Sequence, residues 1–194
     1  MDEMSDLRAA LAPHLDVDPR PHAAPGDRLA AVLALLVGEE PTLLFTERAA
    51  ALSRHAGEVS FPGGLADPGD DSLEVTALRE THEELGIQAA DVTVIGALSP
   101  IHTFVSGILV TPFVGIAPAL PSLTVSEAEI ASVVEVPVRS LAASEEERVL
   151  REEGGSTWRG WWYPVGDVAI WGATGFMVHE LLEIFRKEAP WVVT

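Results

Sequence analysis

The sequence predicts one mixed α/β domain, of the α+β kind, in which helices pack on a mixed β-sheet. Segments with strand-like and helix-like apolar spacing follow one another as strands, a helix, more strands and a final helix. The chain has 194 residues, which is enough for one domain with its own core. Its 47% hydrophobic and 22% charged content is typical of a globular protein.

The charge of the chain limits its partners. The sequence has 12 basic and 30 acidic residues and a formal net charge of −18. A surface this negative repels nucleic-acid phosphates and anionic membranes, so we expect neither as a partner. A phosphate-containing substrate would need a divalent cation to approach it. The absence of cysteine excludes disulfides, thiolate metal sites and cysteine nucleophiles.

The first 25 residues differ in composition from the rest. We expect a short helix and a linker rich in Pro and Ala over residues 1–25, and a single domain over residues 26–194. The acidic start is unlike a signal peptide. The longest apolar run, residues 29–37, is far shorter than the ~20 residues that cross a bilayer. With no cysteine in the chain, these features predict a cytoplasmic protein.

Two strands are predicted at the start of the domain. Residues 29–37 and 42–46 are apolar runs joined by a Gly-Glu-Glu-Pro turn. Residues 47–71 then show little periodicity and contain several Gly and Pro residues. A loop this long inside a compact domain is usually functional or disordered.

A central helix is predicted to begin near Asp71 or Ser72. Asp71 and Glu74 are spaced like a capping box, with Asp in place of the usual Ser or Thr. Gly86 is a suitable left-handed cap at the other end. The helical spacing predicts that one face packs on the sheet: Val75, Leu78, His82 and Leu85.

Further strands and a final helix are predicted in the second half. The strand-like runs are residues 92–98, 103–110, 113–116, 133–136 and 158–163. Pro112 and Pro137 indicate an edge, a bulge or a strand end. The charged residues 141–153 are expected to be helical or mobile, and residues 173–187 have the spacing of a terminal helix.

Three glutamates lie close together on the predicted central helix. With ~100° of rotation per residue, Glu84 falls about 40° to one side of Glu80 and Glu83 about 60° to the other. Like charges this close destabilise a helix, and a cation reverses that penalty. Carboxylate oxygens favour Mg²⁺, Mn²⁺ or Ca²⁺ over zinc. The alternative is a solvated acidic face that binds nothing.

The surrounding residues favour the metal-binding interpretation. The Gly-rich run 57–64 precedes the helix and allows backbone groups to approach a metal or a phosphate closely. Arg79 precedes the first glutamate and could hold a carboxylate in place through a bidentate pair.

These residues resemble the signature of the Nudix hydrolase family, which ends in Arg-Glu-U-X-Glu-Glu-X-Gly-U, where U is bulky and apolar. The matching positions are Arg79, Glu80, Glu83, Glu84, Gly86 and Ile87. Thr81 stands where the family has an apolar residue, and Asp70 or Asp71 stands where it has an earlier Glu. The spacing from Gly64 to Arg79 is one residue longer than in the signature. The resemblance implies the Nudix-type α/β/α sandwich with a mixed β-sheet.

A segment upstream of the helix resembles the coenzyme A pyrophosphatase branch of that family. The pattern spans residues 43–64, and residues 170–174 resemble the segment that opens the last helix of that branch. The whole resemblance covers roughly residues 28–187. It implies hydrolysis of coenzyme A or its thioesters to 3′,5′-ADP and 4′-phosphopantetheine derivatives, with Mg²⁺ or Mn²⁺ as the cofactor.

The resemblance also implies roles for individual residues. Glu80 and Glu84 would be direct metal ligands, Glu83 a direct or water-bridged ligand, and the Gly64 carbonyl a further one. Arg79, Glu80 and Glu83 would be the catalytic residues.

The general base and the substrate contacts stay open within the resemblance. Glu83 is one candidate for the base, and Glu127 and Glu129 are others unless they are solvated loop residues. The predicted phosphate contacts lie in or beside the branch-like segment: Arg48, Arg54, His55 and Gly63. Arg48 could instead pair with a surface acid, and His55 could be an ordinary loop residue.

Two other functions compete with this interpretation. The chain could hydrolyse another nucleoside diphosphate derivative, such as ADP-ribose. It could also be a non-catalytic module that senses a nucleotide or a metal ion, although all three helix glutamates are present. The expected partner is a small-molecule substrate, and a homodimer is compatible with the apolar strands.

Overall fold

The structure of the chain is a computed structural model that describes residues 3–49, 57–103, 107–153 and 156–194. The α-helices in this part are α1 (Glu3–Leu11), α2 (Leu73–Leu85), α3 (Val138–Ser144) and α4 (Gly172–Glu188). No helix among the described residues has both the length and the apolar character needed to cross a bilayer. The strands are β1 (Arg28–Val37), β2 (Thr42–Arg48), β3 (Val59–Ser60), β4 (Gly63–Leu65), β5 (Thr93–Ala97), β6 (Ile101–His102), β7 (Ile108–Ala117), β8 (Ile130–Pro137), β9 (Glu146–Glu153), β10 (Ser156–Val165) and β11 (Val168–Ile170).

A large mixed sheet forms the centre of the molecule. The strand order is β3-β2-β1-β7-β5, with β4 paired to β1, β6 to β7 and β8 to β2. Strands β1 and β7 run parallel, whereas the other neighbours are antiparallel. A second sheet has the order β11-β10-β9. The predicted hairpin of the first two strands is confirmed by the pairing of Leu36 with Leu43 and Val37 with Thr42.

Both faces of the large sheet are covered, and β1 shows this directly. Ala34 and Leu36 belong to a core that also contains the apolar side chains of α1 and α4. Leu33 and Leu35, at the alternate positions, belong to a second core that contains side chains of α2. The sheet therefore lies between helices on both sides, which confirms the predicted α/β/α sandwich.

The N-terminal segment packs on the sandwich. Met4, Leu7 and Leu11 of α1 are buried in the same core as α4. The backbones of Asp16 and Ala97 exchange two hydrogen bonds, of 2.9 and 2.8 Å, at the end of β5. The short helix predicted within residues 1–25 is present, whereas the division of the chain at residue 25 stays a prediction.

The strand end that was one of the expectations at Pro112 is absent, because β7 continues through this residue without a break. The Leu98 amide donates to the Pro112 carbonyl at 2.8 Å, in the gap between the end of β5 and the start of β6. The N–H and C=O of one strand residue point to the same side, so the N–H that proline lacks would also face this gap. Residues 104–106 of the predicted strand 103–110 lie outside the described residues.

The charged segment 141–153 also differs from its prediction. Only its beginning belongs to a helix, α3, and the rest forms strand β9, which pairs with β10. Strand β9 lies at the edge of the smaller sheet, where charged side chains are common. The Arg159 guanidinium on β10 donates to the Glu147 carboxylate on β9 at 2.9 Å. Most of the charged residues of segment 141–153 therefore belong to an edge strand.

Helix α2 begins one residue later than the predicted capping box requires. Ser72 is its N-cap, and the Ser72 hydroxyl accepts a hydrogen bond from the Val75 amide at 3.2 Å. The predicted capping box of Asp71 and Glu74 was therefore wrong. At the other end, Gly86 has φ 74°, the left-handed conformation predicted for it.

The buried face of α2 is rotated from the predicted one. Leu78 and Leu85 contact the second core as predicted, but Val75 is 41% exposed and His82 is exposed. Small side chains are buried instead: Thr76, Ala77 and Thr81. Because α2 packs closely on β1 and on the glycine-containing β4, small residues fit against the sheet and larger ones turn outward.

Candidate active site

A tight bend between β3 and β4 forms the floor of the site. Phe61 is buried in the bend and stacks on Phe45 of β2, with 4.7 Å between the ring centroids. Gly63 has φ +148°, and a Cβ on it would lie 2.3 Å from the carbonyl oxygen of Ala31. Only glycine fits this position.

The next residue, Gly64, makes room for a carboxylate of α2. A Cβ on Gly64 would lie 2.5–2.8 Å from the carboxylate atoms of Glu80, so this carboxylate lies directly against the Gly64 backbone. Burial raises the pKa of Glu80, and the negative charges of Glu83 and Glu129 act in the same direction. The Arg79 guanidinium partly opposes them.

Glu84 is the most deeply buried carboxylate of the site. It is only 4% exposed, and its Oε2 accepts a hydrogen bond from the Gly63 amide at 3.2 Å. Burial raises the pKa of Glu84 to about 7, and the charges of Glu80 and Glu129 add to this effect. The Gly63 amide and the Arg48 guanidinium act in the opposite direction. The site therefore holds more negative charge than its own donors compensate.

Arg79 joins α2 to the loop that follows the bend. Its Nε and Nη2 atoms donate to the two carboxylate oxygens of Asp70, each at 3.0 Å. Its Nη1 donates to Glu80 at 2.8 Å and to Glu83 at 3.2 Å, and Nη2 also donates to the Leu65 carbonyl at 3.1 Å. This pairing lowers the pKa of Asp70 and raises that of Arg79. The predicted role of Arg79 in holding carboxylates therefore has a geometric basis.

The structure distinguishes between the two aspartates that the sequence left open. Asp70 pairs with Arg79, whereas Asp71 is exposed. The other departure from the signature, Thr81, is buried, and its hydroxyl donates to the Ala77 carbonyl at 2.7 Å. A polar residue is tolerated there because the helix itself satisfies its hydroxyl.

A segment between β7 and β8 is fastened to the end of α2. The Thr124 amide donates to the Leu85 carbonyl at 2.7 Å, and the Ser126 amide donates to the Glu84 carbonyl at 2.9 Å. These bonds satisfy two carbonyls that the end of the helix leaves free. Sequence reasoning missed this connection, because bonds between backbone groups leave no pattern of side chains.

The same segment carries the two loop acids considered as bases. Glu127 and Glu129 are both exposed. The Ala49 amide donates to the Glu129 carbonyl at 2.8 Å, which fixes this part of the loop beside the end of β2. The charge of Glu129 raises the pKa of Glu80 and of Glu84, which places Glu129 within electrostatic reach of the site.

The predicted substrate contacts are only partly visible. Arg48 ends β2, and its charge acts on Glu84. Within the described residues, the Arg48 guanidinium forms no ion pair with a carboxylate. The Gly63 amide is bonded to Glu84. Arg54 and His55 lie outside the described residues.

The oxygen donors of the site fit a hard divalent cation. In the described part of the chain, no three His, Cys, Asp or Glu side chains are already arranged to hold a metal ion, and Arg79 spans Glu80 and Glu83. The Glu84 carboxylate is nevertheless buried beside the like charge of Glu80. A cation compensates such charge, and carboxylate and carbonyl oxygens suit Mg²⁺ and Mn²⁺. Binding would require these side chains to rearrange.

Comparison with known proteins identifies relatives over most of the chain. The model of the NUDIX domain family matches residues 27–176. A protein named Uncharacterized Nudix hydrolase NudL, from Photorhabdus laumondii, is 41% identical over 155 residues, which are 79% of this chain and 82% of that protein. A protein of the same name from Yersinia pestis is 39% identical over 164 residues, which are 83% and 81% of the two chains.

Solved structures share the fold. The NUDIX hydrolase from Alicyclobacillus acidocaldarius has a TM-score of 0.52 and 19% identity, and the match covers 63% of this chain and 83% of that one. The MutT/nudix family protein from Enterococcus faecalis has a TM-score of 0.53 and 14% identity, with 88% and 64% covered. At these identities the likeness concerns the fold alone. With the domain match and the two relatives, however, the family is clear: the chain belongs to the Nudix hydrolase family.

Proposed function

We propose that this Nudix hydrolase cleaves the diphosphate bond of coenzyme A or its thioesters and releases 3′,5′-ADP and a 4′-phosphopantetheine derivative. The observation that carries the proposal is the buried Glu84 carboxylate, which lies with Glu80 at the bend formed by Gly63 and Gly64. The Glu84 carboxylate has one amide donor and lies beside the like charge of Glu80, which favours binding of a cation, and a cation there would attract an anionic diphosphate.

Mg²⁺ or Mn²⁺ is the proposed cofactor. Glu80 and Glu84 would hold the ion directly, Glu83 directly or through water, and the Gly64 carbonyl would supply a further oxygen. When bound, such an ion would neutralise the diphosphate, activate the attacking water and stabilise the leaving oxygen. Arg79 keeps the bend and the helix in a fixed relation through its bonds to Leu65 and to the loop.

Glu83 is the proposed proton acceptor for the attacking water, and Glu129 is the second candidate. The Glu83 side chain is 55% exposed, so water can reach it. Glu129 lies on a backbone segment fixed beside Glu80 and Glu84 and acts on both electrostatically.

The pH–rate profiles of Glu83→Gln and Glu129→Gln distinguish the two candidates, with Glu127→Gln as the matched control from the same loop. The variant that lacks the acceptor should lose about 10²- to 10⁴-fold in kcat together with the acidic limb of the profile. If both variants keep wild-type profiles, neither residue is the base.

The choice of coenzyme A rests on residues 43–64, whose pattern resembles that of the coenzyme A branch. Arg48, from that segment, supports the choice because its guanidinium lies within electrostatic reach of Glu84 and is suited to a phosphate. ADP-ribose is the main competing substrate class. A non-catalytic sensor is the lesser alternative, because the three helix glutamates are all retained.

Incubation with coenzyme A and Mg²⁺, with and without a chelator, tests the proposal, with ADP-ribose and acetyl coenzyme A in parallel. We expect 3′,5′-ADP as a product only when the metal is present. The proposed location of the protein is the cytoplasm, so the assay should use reducing conditions. Turnover of ADP-ribose equal to or better than that of coenzyme A would contradict the substrate assignment. No turnover of any diphosphate would favour the sensor.

A further inference from the structure

An open cavity lies beside the glycine bend. Its volume is about 370 Å³, which is within the usual range of about 300–1,000 Å³ for small-molecule sites. The residues that line it come from the start of β1 and from the chain that leaves the bend: Arg28, Leu29, Leu65, Ala66, Asp67 and Pro68. Nothing in the reaction proposed above uses this cavity.

The cavity wall and the candidate active site belong to one continuous segment. Leu65 follows Gly64 directly, and the Leu65 carbonyl accepts a hydrogen bond from Arg79 at 3.1 Å. The Ala66 amide donates to the Leu29 carbonyl at 2.9 Å, which holds this segment against β1. A substrate whose diphosphate lies at Gly64 therefore has a neighbouring cavity for another of its groups.

Arg28 supplies the positive charge of the cavity wall. Its side chain is exposed, and within the described residues it forms no ion pair, in a chain of 30 acidic and 12 basic residues. Most other described arginines do pair with carboxylates: Arg20, Arg79, Arg139, Arg148, Arg159 and Arg186. Asp67 is the one acid in the cavity wall, and among the described residues its carboxylate forms no ion pair with Arg28. The guanidinium of Arg28 is therefore available to a ligand.

The chemistry of these residues indicates the ligand. A guanidinium binds the oxygens of a phosphate through two parallel hydrogen bonds, and the apolar side chains of Leu29, Leu65 and Pro68 suit the uncharged part of a ligand. We infer that this cavity receives a terminal phosphomonoester that the substrate carries beyond its diphosphate, and that Arg28 is the residue that selects it. This inference rests on the proposed function, because in coenzyme A that group is the 3′-phosphate of the ribose.

Binding of the two nucleotides 3′,5′-ADP and 5′-AMP, measured by calorimetry, tests the inference independently of turnover. The nucleotides differ only by the phosphomonoester. In Arg28→Gln the affinity for 3′,5′-ADP should fall about tenfold and that for 5′-AMP much less, because a charge-assisted hydrogen-bond pair is lost. Arg28→Lys should recover part of the loss, and Arg8→Gln, an exposed arginine of α1, is the matched control. Equal losses for the two nucleotides, or no loss, would overturn the inference.

The ratio of kcat/KM for coenzyme A to that for dephospho-coenzyme A gives the second test. We expect a wild-type preference for coenzyme A that falls about tenfold in Arg28→Gln, through KM rather than kcat. A wild-type enzyme that cleaves coenzyme A with a ratio insensitive to Arg28 would overturn the inference and leave the proposed function intact. A wild-type protein that cleaves neither compound would contradict the proposed function, and the calorimetry would still decide the role of Arg28.

Discussion

The carboxylates of Glu84 and Glu145 are both shielded from solvent, but they differ in how many hydrogen-bond donors compensate their negative charge. Glu84, on α2, accepts a hydrogen bond from one backbone amide and lies beside the like charge of Glu80. Glu145, between α3 and β9, has a side chain that is 11% exposed and accepts bonds from three other side chains. Burial raises the pKa of Glu84 to about 7, whereas at Glu145 the donors outweigh burial and lower the pKa.

The donors to Glu145 come from two elements of the fold. The Tyr163 hydroxyl of β10 donates at 2.6 Å, and Nδ1 of His179 and Nη2 of Arg186, both on α4, donate at 2.9 and 2.6 Å. The His179 ring stacks on Trp161, with 3.8 Å between centroids. This cluster satisfies the carboxylate entirely from within the protein and joins the smaller sheet to α4.

The difference indicates what each carboxylate does. A buried charge that the protein fully pairs contributes to holding elements together, and loss of one partner destabilises the fold. A buried charge that the protein leaves poorly paired is unfavourable until a cation arrives. We therefore interpret Glu145 as a structural residue and Glu84 as the proposed metal ligand.

Replacement of Glu84 by Gln should give the largest effect and tests one side of the comparison. The variant should lose about 100-fold or more of its kcat, because the proposed direct metal ligand is removed. Its metal-free stability should stay the same or increase, because a poorly paired charge is gone. Steady-state kinetics with Mg²⁺ and thermal unfolding measure the two quantities. A stable variant with wild-type turnover would break the comparison.

Replacement of Glu145 by Gln tests the other side. The free energy of unfolding should fall by about 1–2 kcal/mol, because Tyr163, His179 and Arg186 lose their charged acceptor while Arg186 keeps its ion pair with Glu183. Turnover per folded molecule should stay near the wild-type value. Urea denaturation and kinetics below the unfolding transition provide the measurements. A large loss of kcat with unchanged stability would place Glu145 in the reaction and contradict the distinction drawn here.

The pH dependence of stability should have opposite signs at the two carboxylates. Because the folded-state pKa of Glu84 is about 7, above the ordinary 4.5, its contribution to the stability of the metal-free fold is fully present below about pH 4.5 and is lost as the pH rises from there through 7. This pKa difference of about 2.5 corresponds to a loss of about 3 kcal/mol. Glu145, with a lowered pKa, contributes stability above the ordinary carboxyl pKa and loses it as the pH falls.

Thermal unfolding of metal-free protein between pH 5 and 8 measures the Glu84 contribution, with Glu84→Gln as the control. The variant and the Mg²⁺-loaded wild type should both show a flatter pH dependence. A wild-type profile as flat as that of Glu84→Gln would show that the buried charge is already compensated by the protein.

The substitution Gly64→Ala, which adds a methyl group at the glycine bend, should lower kcat and leave the fold intact. In Gly64→Ala the added carbon would lie 2.5 Å from the Glu80 carboxylate, the movable end of a side chain, so Glu80 should shift while the backbone is retained. The displaced Glu80 carboxylate should reduce kcat about 10- to 100-fold. Gly69→Ala is the matched control, because no atom lies within 4 Å of its added carbon. Equal activities of the two variants would contradict the position assigned to Glu80.

The smallest expected effect concerns the start of α2, which presents the glutamates. Ser72→Ala should reduce the free energy of unfolding by about 1 kcal/mol, because it removes the N-cap bond to Val75. Asp71→Ala, its neighbour outside the cap, should cost much less. Denaturant unfolding of the two variants shows the difference, and a larger effect for Asp71 would restore the capping box that the sequence suggested.

The features that could be predicted from the sequence are those that depend on residues close together in the chain. The hairpin of β1 and β2, the end of α2 at Gly86 and the clustering of the three glutamates depend on residues close together in the chain. The pairing of Arg79 with a carboxylate was also predictable, but its choice of Asp70 over Asp71 depends on the path of the loop. The charges of β9 gave a wrong prediction because an edge strand and an exposed helix have similar compositions.

The burial of Glu84 could not be predicted, because it depends on how closely α2 approaches the sheet. Apolar spacing placed Val75 and His82 inside, whereas the structure buries the smaller Thr76, Ala77 and Thr81 where α2 packs on β1 and β4. Because the buried face of α2 is rotated from the predicted one, Glu84 is buried and does not face solvent. The connection through Thr124 and Ser126 also depends on backbone groups far apart in sequence.

A crystal of the wild-type protein soaked in Mn²⁺, with the ion located by its anomalous scattering, tests the central claim most directly. We expect an ion bound by carboxylate oxygens of Glu80 and Glu84, with the Arg79 guanidinium no longer bonded to Glu80. No ion at this position, at Mn²⁺ concentrations that support turnover, and an Arg79 still bridging Glu80 and Glu83 would contradict it.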